Sequence, residues 1–543
     1  MNSHKIPPPD RPTFAPLLML YLLASLVSVR AAGVQHLSAA HPGGFPGWPL
    51  LTGIERTTNG VVVTWDGPSG YYQLYQKPTP GSPTWQKVGS PSLARTATIT
   101  TLTSNAFFKV AGPSPRYAGA DVCLECHDGI HKSELNTRHA SAFIDPAFVA
   151  QGGQTNSACL VCHTVGYGLP TGFVGKNDRN TNPRLAGVQC ESCHGPAANH
   201  AANELDLTVR PRVELAGQLC GGCHNGIAGS TFDEWQSSGH FAVVEDMSPT
   251  SRIDSCGRCH SGSARLELIK GHDPRITATN DANVGITCAV CHDPHAVHVT
   301  TNVISGSVIT NQLRYPLAST NDYSLSTNDV FATKYNPNLN LCAQCHNQRG
   351  ASWSNTSEPP HRSPQYNMLL GTAGELDAGV TPWRSSHATR IKTQCVACHM
   401  QTAGEVGKPG PIHTGHTFRF TTTQICSECH DFADLLKDFA QMGIGVRIAQ
   451  VKTALDRWAQ NKAPAALRTK YGARAWEYTK AGELSGGTGP DLTEQALIPD
   501  LIKKARFNLY LVQNDGSFGI HNPPHAAELL DAAAIWVGQE LKR

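Results

Sequence analysis

Cys190-Glu191-Ser192-Cys193-His194-Gly195-Pro196-Ala197-Ala198-Asn199-His200 is the stretch on which the reading of this chain turns. Two thiols stand three positions apart, an imidazole follows the second directly, and another histidine lies six residues further on. The C-x-x-C-H core recurs along the chain. It is found as Cys123/Cys126/His127, Cys159/Cys162/His163, Cys220/Cys223/His224 and Cys256/Cys259/His260, and again as Cys288/Cys291/His292, Cys342/Cys345/His346, Cys395/Cys398/His399 and Cys426/Cys429/His430. With the quoted stretch these nine motifs, numbered one to nine in chain order, use all 18 cysteines of the 543 residues.

A single C-x-x-C is also compatible with a redox dithiol or half of a zinc site. The full set is not. A disulfide framework has no need of a histidine after every second cysteine, zinc would require a fourth ligand at each motif, and redox dithiols do not come in nines. C-x-x-C-H is the attachment signature of c-type haem. The two thiols add to the vinyl groups as thioethers, and the adjacent imidazole is held beneath the iron as its proximal ligand. Nine covalently bound haems c are therefore predicted. The porphyrins then supply the buried apolar mass between 117 and 430, with short helices and irregular loops around them.

Each iron has a sixth position, and histidine is in surplus to fill it. Of 25 histidines, nine are in motifs and His4, His36 and His41 precede the motif region. Six methionines, two of them in the first 20 residues, can serve few irons. Mostly bis-His, low-potential iron is expected, because Met ligation raises the potential. His200 is too near His194 to reach the far face of the same haem and is assigned to a neighbour. His240 in Trp235-Gln-Ser-Ser-Gly-His240 and His387 in Trp383-Arg-Ser-Ser-His387 share an aromatic-then-Ser pattern, with His139 a looser version. His295 or His298, and His416 or His413, are expected to supply one ligand per pair, with His295 and His416 preferred. His361 and His521 complete the distal set. His272 stands undecided, and His131 and His525 read as ordinary histidines.

Outward from the motifs the chain changes character on both sides. Lys5 and Arg11 precede the apolar run Leu17–Val29, and Val29-Arg30-Ala31 offers a cleavage site. A run of thirteen residues suits a signal peptide, residues 1–31, better than a membrane span. Residues 33–115 hold no cysteine and read as β, with runs at Val61–Trp65, Tyr71–Gln76, Trp85–Val88, Thr96–Leu102 and Phe107–Val110 separated by Gly/Pro turns. From 431 to 543 helical periodicity takes over. Phe432, Leu435, Phe439 and Met442 form one stripe, Ile448, Val451, Leu455 and Trp458 a second, and Leu501, Ala505, Leu509 and Val512 a third. All three are expected to pack on helices or haem. Asn522-Pro523-Pro524 is a helix start leading into Ala526–Leu541. Lys+Arg 44 against Asp+Glu 42, without a basic tract, argues against a nucleic-acid partner.

The segment Gly187–His200 resembles the multihaem c-type cytochrome superfamily that includes hydroxylamine oxidoreductase, pentahaem nitrite reductase and the tetrahaem cytochromes of ammonia oxidisers. The Trp-x-x-Ser-x-His element at Trp235–His240 and the helices after the last motif are similar too, and residues 33–115 resemble a fibronectin type III or immunoglobulin-like module. The resemblance implies a small N-terminal β-sandwich, then a multihaem core (117–430) of α and irregular structure, then long helices packed on it (431–543). Two departures stand out. Nitrite reductases carry a C-x-x-C-K catalytic haem, whereas every motif here ends in His, and nine motifs match none of these members, so no catalytic residue is carried over.

The leading expectation is an exported electron relay, periplasmic or at the cell surface, cycling Fe(III)/Fe(II) with no substrate bond changed. It would link a quinol-oxidising or respiratory donor to a reductase, an outer-surface conduit or an extracellular acceptor. With ionised propionates the holoprotein carries roughly −9 when oxidised and roughly −18 when reduced, which favours basic redox partners. Two alternatives remain: an oxidoreductase of a small nitrogen or sulfur compound at one open iron, and a subunit of a conductive filament or other homo-oligomer.

Overall fold

The computed structural model describes residues 49–100, 106–178, 184–226, 229–243, 252–274, 284–404 and 412–543. The signal-peptide reading of residues 1–31 and the end of the Thr96–Leu102 run lie outside the described residues. The first region is two small antiparallel sheets, built from β1 (Leu50–Thr57), β2 (Gly60–Asp66), β3 (Tyr72–Lys77), β4 (Gln86–Ser92), β5 (Thr96–Ile99) and β6 (Phe107–Ala111). One sheet runs β1-β2-β5 and the other β4-β3-β6. Strand alternation explains the core: Val61, Val63 and Trp65 point inward from β2 and meet Tyr72, Leu74 and Ile99. The turn from β1 to β2 requires Gly60, at φ +136°, because a Cβ there would stand 2.2 Å from the Ile99 carbonyl oxygen. Sequence patterning missed β1, whose Leu50-Leu51-Thr52-Gly53-Ile54 does not alternate. This module is tied to the motif region by Asp66 of β2, which pairs with Arg212 at 2.7 Å.

Between 120 and 430 helices are short, and the motifs sit on single turns such as Ser157–His163, Cys190–His194 and Cys395–His399. A helical turn sets residues three apart on one side, which is why both thiols of a motif face the same way. Apolar clusters here are small, for example Tyr117, Phe143, Leu160, Val165, Phe173 and Leu185. The large protein-only core lies instead at the C-terminal end, where helices Ala433–Asn461, Asp500–Asp515 and Pro523–Lys542 enclose Trp458, Trp476 and Trp536. Asn522 caps the last helix by accepting from the His525 N–H, and Pro523 opens its first turn.

The stripes differ in what covers them. Ile448, Val451, Leu455 and Trp458 are buried as predicted, but Phe432, Leu435, Phe439 and Met442 are exposed, at 79%, 55%, 61% and 60%. The 29-residue helix is longer than its neighbours, so only its second half meets the other two helices. Its first half adjoins motif nine, to which Asp434 is joined by accepting from the Thr423 hydroxyl at 2.6 Å. Helix–helix packing therefore does not explain the first stripe. Among the described residues no helix is long and apolar enough to cross a membrane.

Candidate haem-binding sites

Seven histidine pairs stand opposite one another at a common centroid separation, with ring planes from near-parallel to near-perpendicular, each joining a motif histidine to one outside the motifs. Ring centroids are 6.1 Å apart for His224–His139, 6.0 Å for His194–His295, 6.1 Å for His346–His240 and 6.0 Å for His260–His361. They are 6.4 Å apart for His292–His416, 6.2 Å for His430–His387 and 6.1 Å for His399–His521. A ligating imidazole nitrogen lies about 2 Å from its metal, so two rings binding one ion from opposite sides hold their centroids about 6 Å apart. The chain thus spaces these pairs for one iron each, and the paired residues fit haem.

Hydrogen bonds at the other ring nitrogen orient these side chains. Nδ1–H donates to the carbonyls of Arg212 from His194 (2.8 Å), Ile520 from His387 (3.1 Å), Phe418 from His399 (3.3 Å) and Thr414 from His416 (3.2 Å). The amide oxygen of Gln365 accepts from His346 at 3.4 Å, and the Ser363 hydroxyl from His361 at 3.1 Å. His521 differs, donating to the Asp515 carboxylate at 2.6 Å. A donor at Nδ1 leaves the Nε2 lone pair free for a metal. Burial, aided by the facing ring, lowers the pKa of His240 and of His292 to about 4, so both are neutral, as a metal ligand must be.

The rival histidines go elsewhere. His298 contacts the Asp293 carboxylate at 3.1 Å, and His413 donates to Glu234 at 3.1 Å while His416 faces His292. His272 bonds Glu267 at the surface, and His525, fully buried, donates to the Ala373 carbonyl at 2.8 Å.

Two motifs depart from the expected pattern of a paired axial histidine. Of the eight expected distal residues, His200 alone faces no motif histidine among the described residues, and its buried Nδ1 has no partner there. His127 of motif one and His163 of motif two are the motif histidines left without a facing imidazole. His127 lies at the surface with Cys126 beside it, as His224, His292, His346 and His430 also do. Helix Ala120–Glu134 leaves helical geometry at His127, with φ −114° and ψ 38°. In the same helix His131, read from sequence as an ordinary histidine, is buried with neither ring nitrogen hydrogen-bonded, and burial pushes the Glu134 carboxyl up to about 7. His163 donates from Nδ1 to the Ala142 carbonyl, and the ring of Phe148 lies parallel to it at 4.0 Å and 11°.

Sulfur contacts order the motifs in space. Thiols lie close enough to shift one another's ionisation for Cys123–Cys190, Cys162–Cys223, Cys220–Cys288, Cys259–Cys345 and Cys342–Cys395. Cys193 lies near Cys220, Cys291 near Cys342, and Cys426 near Cys398. The motifs therefore run one–three–four–six–seven–eight–nine, with two joined at four and five joined at seven. Cys126 and Cys429, in the first and last motifs, are the exposed cysteines. Buried carboxylates fix this arrangement, and sequence reasoning did not find them. Glu191, inside motif three, accepts from the backbone N–H groups of Ala118, Gly119 and Ala197, clamping the lead-in to motif one against motif three. Glu234 accepts from the N–H groups of Thr414 and His416 and so sets the loop that carries His416.

Comparison with known proteins places parts of the chain among cytochromes. Residues 122–195 match the family described as cytochrome c554 and c-prime, and residues 325–464 match outer membrane cytochrome MtrC/MtrF-like, domains II/IV. The chain is a multihaem c-type cytochrome, with haem c covalently bound. It is 24% identical over 370 residues to the C-type polyheme cytochrome OmcB of Geobacter sulfurreducens, covering 65% of this chain and 44% of OmcB. It is 26% identical over 333 residues to the multiheme cytochrome MtrA of Shewanella baltica, covering 52% of this chain and 88% of MtrA. The chain therefore spans less than half the length of OmcB. Among solved structures, the outer cell wall cytochrome OcwA is matched at 19% identity with a TM-score of 0.47, over 78% of this chain and 99% of that one.

Proposed function

We propose that the chain carries nine haems c and relays single electrons outside the cytoplasm, from a quinol-linked donor toward a reductase or an outer-surface acceptor. When bound, haem supplies one-electron Fe(III)/Fe(II) chemistry with no bond made or broken in a substrate. The protein's own contribution is positional. The facing histidine pairs carry this reading: they would hold an iron from two sides in fixed imidazoles and so keep its coordination the same in both oxidation states. The nearness of thiols from different motifs supports continuity, since haems attached there would stand close to one another. The exposed Cys126 and Cys429 mark the two ends of the run as the places where partners are met. Haem stoichiometry by pyridine haemochrome and intact mass tests the count, and EPR of the oxidised holoprotein tests the coordination. Nine haems with at least seven low-spin irons are expected, and fewer than seven low-spin irons refutes the pairing.

A second reading is favoured by the Phe148–His163 stack. An aromatic ring against the motif-two imidazole, with no histidine facing it among the described residues, suits an iron with one open side. Such a site would make the chain an oxidoreductase of a small nitrogen or sulfur compound. One high-spin equivalent per chain, lost on replacement of motif two, is the result that moves this reading to first place.

A further inference from the structure

His521 is set apart from the other paired histidines by what lies behind it. Where a hydrogen bond orients them, the partners of His194, His346, His361, His387, His399 and His416 are neutral carbonyl, amide or hydroxyl oxygens. Behind His521 stands the Asp515 carboxylate, 2.6 Å from Nδ1, its side chain 1% exposed against 22% for the imidazole. Asp515 is the last residue of helix Asp500–Asp515, where the negative end of the helix dipole disfavours an anion. No Lys or Arg among the described residues pairs with it. What holds it is the Ser517 hydroxyl and His521 itself, brought back over the carboxylate by a turn through Gly516 at φ 73°.

We propose that Asp515 is a positioning residue that lowers the reduction potential of the iron held by His399 and His521 below that of its neighbours. The inference rests on the reading that these two histidines are an axial pair. A buried carboxylate accepting from Nδ1–H makes the imidazole a stronger electron donor at Nε2. In a low-dielectric interior it also favours the more positive of two metal charge states. Both effects stabilise Fe(III) over Fe(II). In the one-electron step at this site the electron arrives from motif seven and leaves to motif nine, while the Nδ1 proton stays in the hydrogen bond to Asp515. Motif eight lies between the branch point and the exposed terminal motif, so it forms an uphill step immediately before the exit. Asp515 thereby keeps electrons off motif eight and on its neighbours in the run.

The test uses the full haem-loaded chain. Potentiometric titration of Asp515→Asn followed by visible absorption and low-temperature EPR is expected to move one low midpoint upward by at least tenfold in its reduction equilibrium, about 60 mV for a one-electron couple. The low-spin count stays unchanged. Asp515→Glu, which keeps the charge, should titrate close to the parent. Should Asp515→Asn fail to accumulate as holoprotein, Ser517→Ala gives the carboxylate wholly to His521 and moves the same midpoint down. Superimposable titrations of the parent and of whichever of these two variants is measured overturn the role of Asp515. His521→Ala without loss of a low-spin iron overturns the axial pairing instead, so the two failures are distinguishable.

Discussion

The loop 412–416 offers two histidines three positions apart with opposite assignments, and replacing each separates ligation from structure. His416 faces His292 at 6.4 Å, whereas His413 donates to Glu234, whose other acceptor contacts come from Ser230, Thr414 and His416. On the proposed pairing, His416→Ala removes one of the two imidazoles from one of nine irons. It is expected to convert about one ninth of the total iron from low to high spin and to raise one midpoint, since loss of an imidazole donor favours Fe(II). His413→Ala removes one hydrogen bond from a half-exposed donor to a buried acceptor that keeps three others. The expected cost is about 1 kcal/mol of stability, with no spin change. Quantitative EPR on the two oxidised holoproteins, integrated against the parent, reads the difference directly. A high-spin gain in His413→Ala, or none in His416→Ala, refutes the use of ring geometry to choose between neighbouring histidines.

Glu191→Ala strips the acceptor from three buried backbone N–H groups and is expected to cost about 3 kcal/mol, with Glu191→Gln costing less, measured by chemical unfolding of haem-loaded protein. A loss under about 0.5 kcal/mol would show that water replaces the carboxylate there. Burial raises Glu134 from 4.5 to about 7, so the folded state holds a proton that the unfolded chain releases. Its contribution is fully present below about pH 4.5 and is lost as pH rises through 7. Glu134→Gln should therefore flatten the decline of Tm with pH across that window, and parallel profiles would sink the idea. Asp66→Asn breaks the pair with Arg212 and should increase proteolytic clipping between residues 111 and 117, with unchanged cleavage showing the module is held by other contacts.

Chemistry that resides in covalent spacing was legible in the sequence, and chemistry that resides in packing was not. Two thiols and an imidazole at C-x-x-C-H spell their own reaction, and Trp235-x-x-Ser-x-His240 placed a histidine that does face His346. The same spacing says nothing of what will face the imidazole, which is why His127 and His163 read like the other seven motif histidines yet face no imidazole among the described residues. Period-two alternation located five of the six strands. Choosing His295 over His298 depends on Asp293, whose carboxylate draws one ring away, and nothing in the run Asp293–His298 says which. The stripe at Phe432–Met442 shows how far periodicity reaches. It announced a helix correctly, but the partner of a helical face depends on the length of neighbouring helices. Asp515, Glu234 and Phe148 carry no motif at all, and each matters through an atom brought near it by the fold.

The peptide group between Ile520 and His521 has a double duty. Its carbonyl oxygen accepts from Nδ1 of His387, and the residue that begins with its nitrogen carries the imidazole facing His399, while the Ser385 hydroxyl donates to the next carbonyl, that of His521. The side chains facing the eighth and ninth motif histidines therefore hang from a single yoke. Neither ring can swing without dragging the other, so the last two stations of the run are mechanically one unit. A shift of this turn moves both together.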